Sequence, residues 1–328
     1  MERISRHAQL GAGGPQVSAL GLGCMSLSGA YGASDDAEGT QLIHAALDRG
    51  LSLLDTADMY GWGHNETLVG AAIAGRRGEA FVATKFGHVR GRGDELLING
   101  RPDYVFKACD ASLKRLKLDH IDLYYQHRVD PQVPIDETVD AMGQLVRRGK
   151  VRYIGLSEAR PETIRRAHKV FPLSAVQTEF SLLYRVEAQE TLETTRALGI
   201  AFVAYSPLGR GLLTSAAPSS AVVAGDRRAT HPRFSGENLT HNLALSERLA
   251  QLARAKRCSP AQLALAYVLA KGAIPIPGTR RLARLEENIE ALDVALDEKE
   301  IAALEEAIPA DAAAGERYPP ELLEKAYL

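Results

Sequence analysis

The sequence is poor in the features that mark secreted, metal-bound or nucleic-acid-binding chains. Its three cysteines, Cys24, Cys109 and Cys258, are widely separated and odd in number, which argues against a disulfide framework or clustered zinc site and for a reducing compartment. Neither charge is in excess, with 39 Lys and Arg against 41 Asp and Glu and a net charge of -2, so there is no basic field for nucleic acid. No run reaches the ~18 consecutive apolar residues of a membrane span, and MERISRHAQLGAGG at the start lacks the apolar stretch of a signal peptide. The expectation is a cytoplasmic protein with no nucleic-acid or membrane partner. The dinucleotide fingerprint is missing too: GAGGPQ (11–16) and GLGCMS (21–26) begin like GxGxxG but lack the last glycine, which disfavours a Rossmann site. Repeats and low-complexity tracts are also absent.

What is present is an ordinary globular composition, 45% hydrophobic and 24% charged, enough for an extensive core. β-rich runs alternate with amphipathic stretches, the pattern of βαβ units and a parallel sheet. Strands are expected at Ala19–Gly23, Leu51–Asp55, Ala80–Lys85, Ile121–Gln126, Val151–Ser157, Ala175–Gln177, Ile200–Tyr205 and Ala273–Ile276. Between them, Phe106, Cys109, Leu113 and Leu116, and likewise Ile135, Val139, Met142 and Val146, follow helical spacing. Ser259-Pro260 ahead of Ala261–Leu269 supplies an N-cap and a first-turn proline. Periodicity does not report whether such a sheet closes, so a doubly wound open sheet competes with a (β/α)8 TIM barrel. The barrel is preferred: one domain over 1–328, with a long Pro207–Thr240 loop after the seventh strand and an appended tail from Pro309 to Leu328.

Three polar residues stand where strand patterns end: Asp55 after LSLL, Lys85 after FVAT and His127 after LYYQ. In a barrel such positions converge on the C-terminal mouth, where active sites of this architecture are built. Tyr60, five residues beyond Asp55, can reach the same mouth. A tyrosine hydroxyl titrates near pH ~10 and needs a neighbouring cation to exchange a proton readily. Lys85 can be that cation, Asp55 can hold it, and His127 can donate a hydrogen bond to a carbonyl oxygen. Each residue alone has a plain structural reading as cap, solvated lysine, packing aromatic or core histidine; their joint placement favours chemistry on a carbonyl. Gly278-Thr279-Arg280 follows the eighth strand and opens a helical pattern, a phosphate-binding arrangement. Arg280, Arg281 and Arg284 add charged forks, against the alternative that they pair with Glu286 and Glu287 on one solvated helix.

DTADMYG (55–61), FVATK (81–85), LYYQHRVD (123–130), GLSEA (155–159), AYSPLGRGLL (204–213) and IPIPGTRRLARLEEN (274–288) resemble, in order, the signature segments of the aldo-keto reductase superfamily. The GLSEA form resembles its pyridoxal-reductase-like and auxin-induced-protein-like branch. The resemblance implies that Tyr60 is the general acid, that Asp55 and Lys85 tune it, that His127 positions the carbonyl, and that hydride comes from NADPH. It further implies carboxamide contacts from Ser157 and Gln177, a nicotinamide stacked on Tyr205, and cofactor contacts from Gly23 and Met25. A pyrophosphate-covering loop is implied at Ser206, Pro207, Leu208, Gly209, Arg210 and Gly211. Gly278 and Thr279 are implied at a phosphate, and Arg280, Arg284, Glu287 and Asn288 in the adenosine-binding run, where the arginines favour NADP+ over NAD. Glu158 stands where many members have Asn, a departure at the carboxamide contact. Trp62, with Met25 and Tyr60, is expected to line the substrate mouth, with residues of the Pro207–Thr240 loop and the tail completing the pocket.

The expected function is reduction of aldehyde or ketone carbonyls to alcohols. A second reading is an NADPH-binding regulatory module with little turnover, since related potassium-channel β-subunits use this fold mainly for regulation. A metal-dependent barrel hydrolase is disfavoured, because His120 and His127 lie seven apart on one strand pattern and face opposite sides. No metal site is expected, and neither the specific substrate nor the oligomeric state is legible.

Overall fold

A computed structural model describes residues 3–93, 95–217 and 225–327. Eight parallel strands form one sheet in chain order: β1 (Leu22–Gly23), β2 (Leu53–Asp55), β3 (Phe81–Phe86), β4 (Ile121–Gln126), β5 (Val151–Ser157), β6 (Ala175–Glu179), β7 (Ala201–Tyr205) and β8 (Ile274–Pro275). The edges meet: Gly21 N donates to Pro275 O at 2.9 Å and Gly23 N to Pro277 O at 3.2 Å. Closure leaves no free sheet edge, and the fold is a (β/α)8 barrel.

Alternation along each strand builds two cores. Leu53, Ala83, Leu123, Tyr125, Val203 and Ile274 point into the barrel, while their neighbours Leu54, Val82 and Tyr124 point outward under the helices. The outer ring comprises α1 (Asp36–Asp48), α2 (His64–Ala72), α3 (Pro102–Leu116), α4 (Ile135–Arg147), α5 (Pro161–Val170), α6 (Val186–Ala197), α7 (Gly236–Lys256), α8 (Pro260–Ala270) and α9 (Leu282–Glu290). Both α10 (Glu298–Ala307) and the short α11 (Pro320–Leu323) lie beyond the last βα unit. The Ser259-Pro260 start of α8 is a capping box, Ser259 and Gln262 each bonding the other's backbone N–H. Among the described residues no helix is long and apolar enough to cross a membrane.

Three features depart from the sequence reading. An antiparallel hairpin, His7–Gln9 with Gln16–Ser18, sends Leu10 and Val17 into the barrel-interior core. A second hairpin pairs His88–Arg90 with Leu96–Ile98. Runs of three residues carry too little alternation to be seen in sequence. The expected Pro207–Thr240 loop is also too long. Helix α7 begins at Gly236 because Leu239, Asn242, Leu245 and Leu249 form a buried stripe that a Gly- and Ser-rich entry conceals; residues 218–224 of that loop lie outside the described residues.

The α2–α3 contact depends on one glycine. A Cβ at Gly70 would lie 2.3 Å from Leu116 O, a backbone atom that cannot step aside. Alanine is the better helix former by about 1 kcal/mol, but forced overlap costs about 1–3 kcal/mol. Gly70→Ala is therefore expected to lower the urea midpoint with an unchanged m-value; a raised midpoint would show that the helices separate freely.

Candidate active site

Strand register brings the site together. Gly23 pairs with Asp55, Asp55 with Ala83 and Lys85 with Tyr125, so the ends of β1 to β4 meet at one mouth. Pairing continues past β2, where Thr56 N donates to Ala83 O at 2.8 Å and Asp58 N to Lys85 O at 3.1 Å. That extension carries the chain to Tyr60. The turn beyond it is left-handed at Gly61 (φ 56°), Trp62 (φ 51°) and Gly63 (φ 98°), which two glycines allow and Trp62 tolerates. Asn65 fastens the turn: its side chain donates to Cys24 O and Ser28 Oγ, both at 2.8 Å, and accepts from Thr56 Oγ1 at 2.6 Å.

Lys85 is fully buried, and its ammonium donates to Asp55 Oδ1 at 2.5 Å, Thr56 O at 2.7 Å and the Tyr60 hydroxyl at 3.3 Å. Three acceptors use all three ammonium donors. The other Asp55 oxygen accepts from Gln177 Nε2 at 2.7 Å, which fixes the carboxylate. Burial pulls the Lys85 pKa down and the Asp55 carboxylate pushes it up; the carboxylate prevails. Burial likewise raises the Tyr60 phenol above its ordinary range, with Lys85 opposing, so the phenol keeps its proton. Because Lys85 donates to the phenol oxygen, the phenol's own hydrogen is left for another acceptor.

His127 stands edge-on to Tyr60, ring centroids 6.0 Å apart. Burial, then His88, Arg128 and Lys85, hold its pKa well below the ordinary histidine value, so the ring is neutral. Its Nδ1 is buried without a hydrogen-bond partner among the described residues, an orphan of the kind that a functional site explains.

These groups open onto a cleft at the barrel mouth. Of the residues singled out in the sequence, Asp55, Tyr60, His127, Gly23, Met25, Ser157, Gln177, Tyr205, Ser206, Arg210 and Gly278 line it. Lys85 sits behind Asp55 and Tyr60. Arg210 makes a bidentate pair with Glu179 at 3.0 and 2.8 Å, while Pro207, Leu208, Gly209 and Gly211 shape its loop without lining the cleft. Thr279, Arg280, Arg284, Glu287 and Asn288 also lie outside the lining. Arg280 donates to Ala33 O and, at 3.1 Å, to Tyr31 O. Arg284 pairs with Glu287 at 2.5 Å, as the solvated-helix alternative anticipates for that pair, whereas Glu286 pairs with Arg49. Trp62 is 42% exposed, with the Arg90 guanidinium 4.3 Å over its ring, and does not line the cleft.

Glu158 explains its own departure. Its backbone is left-handed (φ 55°), and its carboxylate turns to Arg317 at 2.6 Å and to Glu179 N at 3.0 Å, outside the cleft lining. Burial would raise its pKa, but the Arg317 guanidinium and then Arg128 hold it down to about 2. Arg317 also donates to the Tyr205 hydroxyl at 3.3 Å, and Tyr205 and Tyr318 share a 2.9 Å hydrogen bond. The tail thus forms one wall of the mouth. Sequence reasoning missed His88, Arg128, Arg227, His231, Tyr318 and Lys325 as cleft residues. Arg128 stands beside His127 in LYYQHRVD, and Arg227 and His231 lie in the long loop and Tyr318 and Lys325 in the tail, the two segments expected to complete the pocket, whereas His88 carried no sequence signal.

The closed barrel thus carries a polar tetrad at its C-terminal mouth, the place where active sites of this architecture are built. The aldo/keto reductase family model matches residues 19–309, and the chain belongs to that family. It is 47% identical over 315 residues to a probable aldo-keto reductase 1 of Glycine max, covering 94% of this chain and 91% of that protein. Among solved structures it is similar to a glycerol dehydrogenase of Gluconobacter oxydans, with a TM-score of 0.83, 30% identity, and 93% of this chain and 95% of that one covered. It is also similar to the holo form of an aldo-keto reductase of Bacillus halodurans, with a TM-score of 0.79, 29% identity, and 93% and 97% covered. The family uses nicotinamide cofactors.

Proposed function

We propose that this chain is an NADPH-dependent reductase of aldehyde or ketone carbonyls, acting as one catalytic domain over 1–328 in the cytoplasm. The observation that carries the reading is the direction of the Lys85–Tyr60 hydrogen bond: lysine donates at 3.3 Å, so the phenol O–H is the free donor. A carbonyl oxygen placed between Tyr60 and His127 accepts from the phenol and from the neutral imidazole. As negative charge develops there, Tyr60 releases its proton, and the adjacent Lys85 ammonium stabilises the phenolate left behind. Asp55 keeps Lys85 charged and in place. A bound reduced nicotinamide supplies the hydride that completes the reduction.

The residues present fit such a cofactor: an open cleft at the mouth with the Tyr205 ring on one wall, and Ser157 and Gln177 for the carboxamide. Arg210, Gly278 and Thr279 would hold the pyrophosphate, and Arg280 and Arg284 the adenosine end. The preference for NADPH over NADH rests on those last two arginines and the 2′-phosphate. Arg284→Gln is expected to weaken NADPH binding about tenfold, one charge-assisted contact's worth, with little change for NADH; equal losses for both would remove the 2′-phosphate assignment. The reading as a whole is tested by following NADPH absorbance against a panel of aldehydes and ketones. Turnover of several establishes it, whereas tight NADPH binding with no turnover would favour a regulatory module.

A further inference from the structure

The cleft is electrostatically lopsided. Among the described residues, Asp55 is the one carboxylate lining it, and it is neutralised by Lys85. Arg210 is neutralised by Glu179. Three other cations line the same cleft, Arg128, Arg227 and Lys325; among the described residues none has a carboxylate within salt-bridge distance, although Arg128 feels the charge of Glu158, which Arg317 already pairs. Arg128 is buried and donates only to His127 O at 2.8 Å and Ser157 Oγ at 3.4 Å. Lys325 donates to Leu96 O at 2.6 Å. Beside Arg227, the Asp226 carboxylate is consumed by Arg228, which reaches it at 2.6–3.2 Å.

The cations gather around His88, which is 7% exposed, stands 4.7 Å from His127 ring to ring, lines the cleft and has an unpartnered Nδ1. Burial, then Arg128, Arg227 and Lys325, depress its pKa to about 3. His88 is thus a neutral hydrogen-bonding group ringed by positive charge, next to the proposed carbonyl position. Unpaired cations with an orphaned buried donor or acceptor are costly to keep unless a ligand satisfies them.

We infer that the carbonyl substrate carries an anionic group, a carboxylate or phosphate ester, which Arg128, Arg227 and Lys325 hold beside His88 while the carbonyl meets Tyr60 and His127. The inference rests on the carbonyl reductase reading. Its test compares kcat/KM for matched pairs: 4-carboxybenzaldehyde against benzaldehyde for the carboxylate, and glyceraldehyde 3-phosphate against glyceraldehyde for the phosphate. The full chain is assayed beside Arg227→Gln and Lys325→Gln. The anionic member of at least one pair is expected to be favoured about tenfold or more, and each variant to reduce that ratio severalfold, more at low salt. Ratios near one with benzaldehyde still reduced would overturn the anion site and leave the reductase standing. Arg227→Gln weakening NADPH binding in a direct titration, with the ratio intact, would assign that residue to the cofactor and overturn its part. If no aldehyde is turned over, the reductase reading fails separately, and calorimetry of benzoate against benzamide on the NADP+-loaded protein decides the anion site. Tighter benzoate binding that Lys325→Gln abolishes supports it; equal binding overturns it.

Discussion

Tyr60→Phe is expected to lower kcat for carbonyl reduction by about 10²–10⁴-fold, the contribution of a positioned general acid, with NADPH affinity retained. The variant removes one oxygen from a phenol whose ring is held edge-on to His127 at 6.0 Å and 5.0 Å from the Lys85 ammonium, so the aromatic packing survives. What disappears is the proton donor and the oxygen on which Lys85 would stabilise developing charge. His127 can still polarise a carbonyl, which leaves a residual rate. Steady-state kinetics beside a direct NADPH titration separate the two effects, and wild-type turnover in Tyr60→Phe would sink the acid assignment.

Lys85→Met is expected to remove activity and to destabilise the fold by about 3–5 kcal/mol, because it strands a buried carboxylate. Asp55 is 3% exposed and would keep only the Gln177 hydrogen bond. Adding Asp55→Asn to Lys85→Met removes the stranded charge and is expected to restore much of the stability with none of the activity. Urea denaturation of the single and double variants checks this; equal midpoints would mean that the pair is not electrostatically coupled. The sign with pH follows from the raised Lys85 pKa. The pair's contribution is complete below the ordinary lysine range near ~10.4 and is lost only as pH rises through the higher folded value. The Lys85 titration should therefore contribute no pH dependence of stability at neutral pH; Asp55, whose pKa burial raises above the ordinary carboxylate value against the opposing Lys85 charge, contributes one in which stability falls as pH rises from the ordinary carboxylate range through its folded value.

Much of the site was legible because barrel strands end in the same place. LSLLD, FVATK and LYYQH each finish an alternating run with a polar residue, and a parallel closed sheet leaves those residues nowhere to go but the mouth. Strand existence was similarly readable, since short runs rich in apolar, β-branched and aromatic residues lie where β3, β4 and β5 are. What was not legible came from places without a period. His88 sits in a three-residue strand, and Lys325 reaches the cleft from a tail whose path depends on Arg317 finding Glu158, 159 residues away in sequence. Trp62 is expected at the substrate mouth; the left-handed turn at Gly61–Gly63 instead turns it toward Arg90. A local φ reversal of that kind leaves no trace in hydrophobic patterning.

The same tail gives the mouth a place in time. Lys325 bonds the hairpin at Leu96, Tyr327 bonds Glu187 O on α6 and receives Arg160 from the start of α5, and Arg317 reaches across to β5's end. Chains emerge from the ribosome N-terminus first, and contacts this distant in sequence form late. During synthesis the tetrad residues 55–127 are therefore made long before the wall that encloses them. The binding cavity is therefore finished only when residue 325 and its neighbours have joined the barrel.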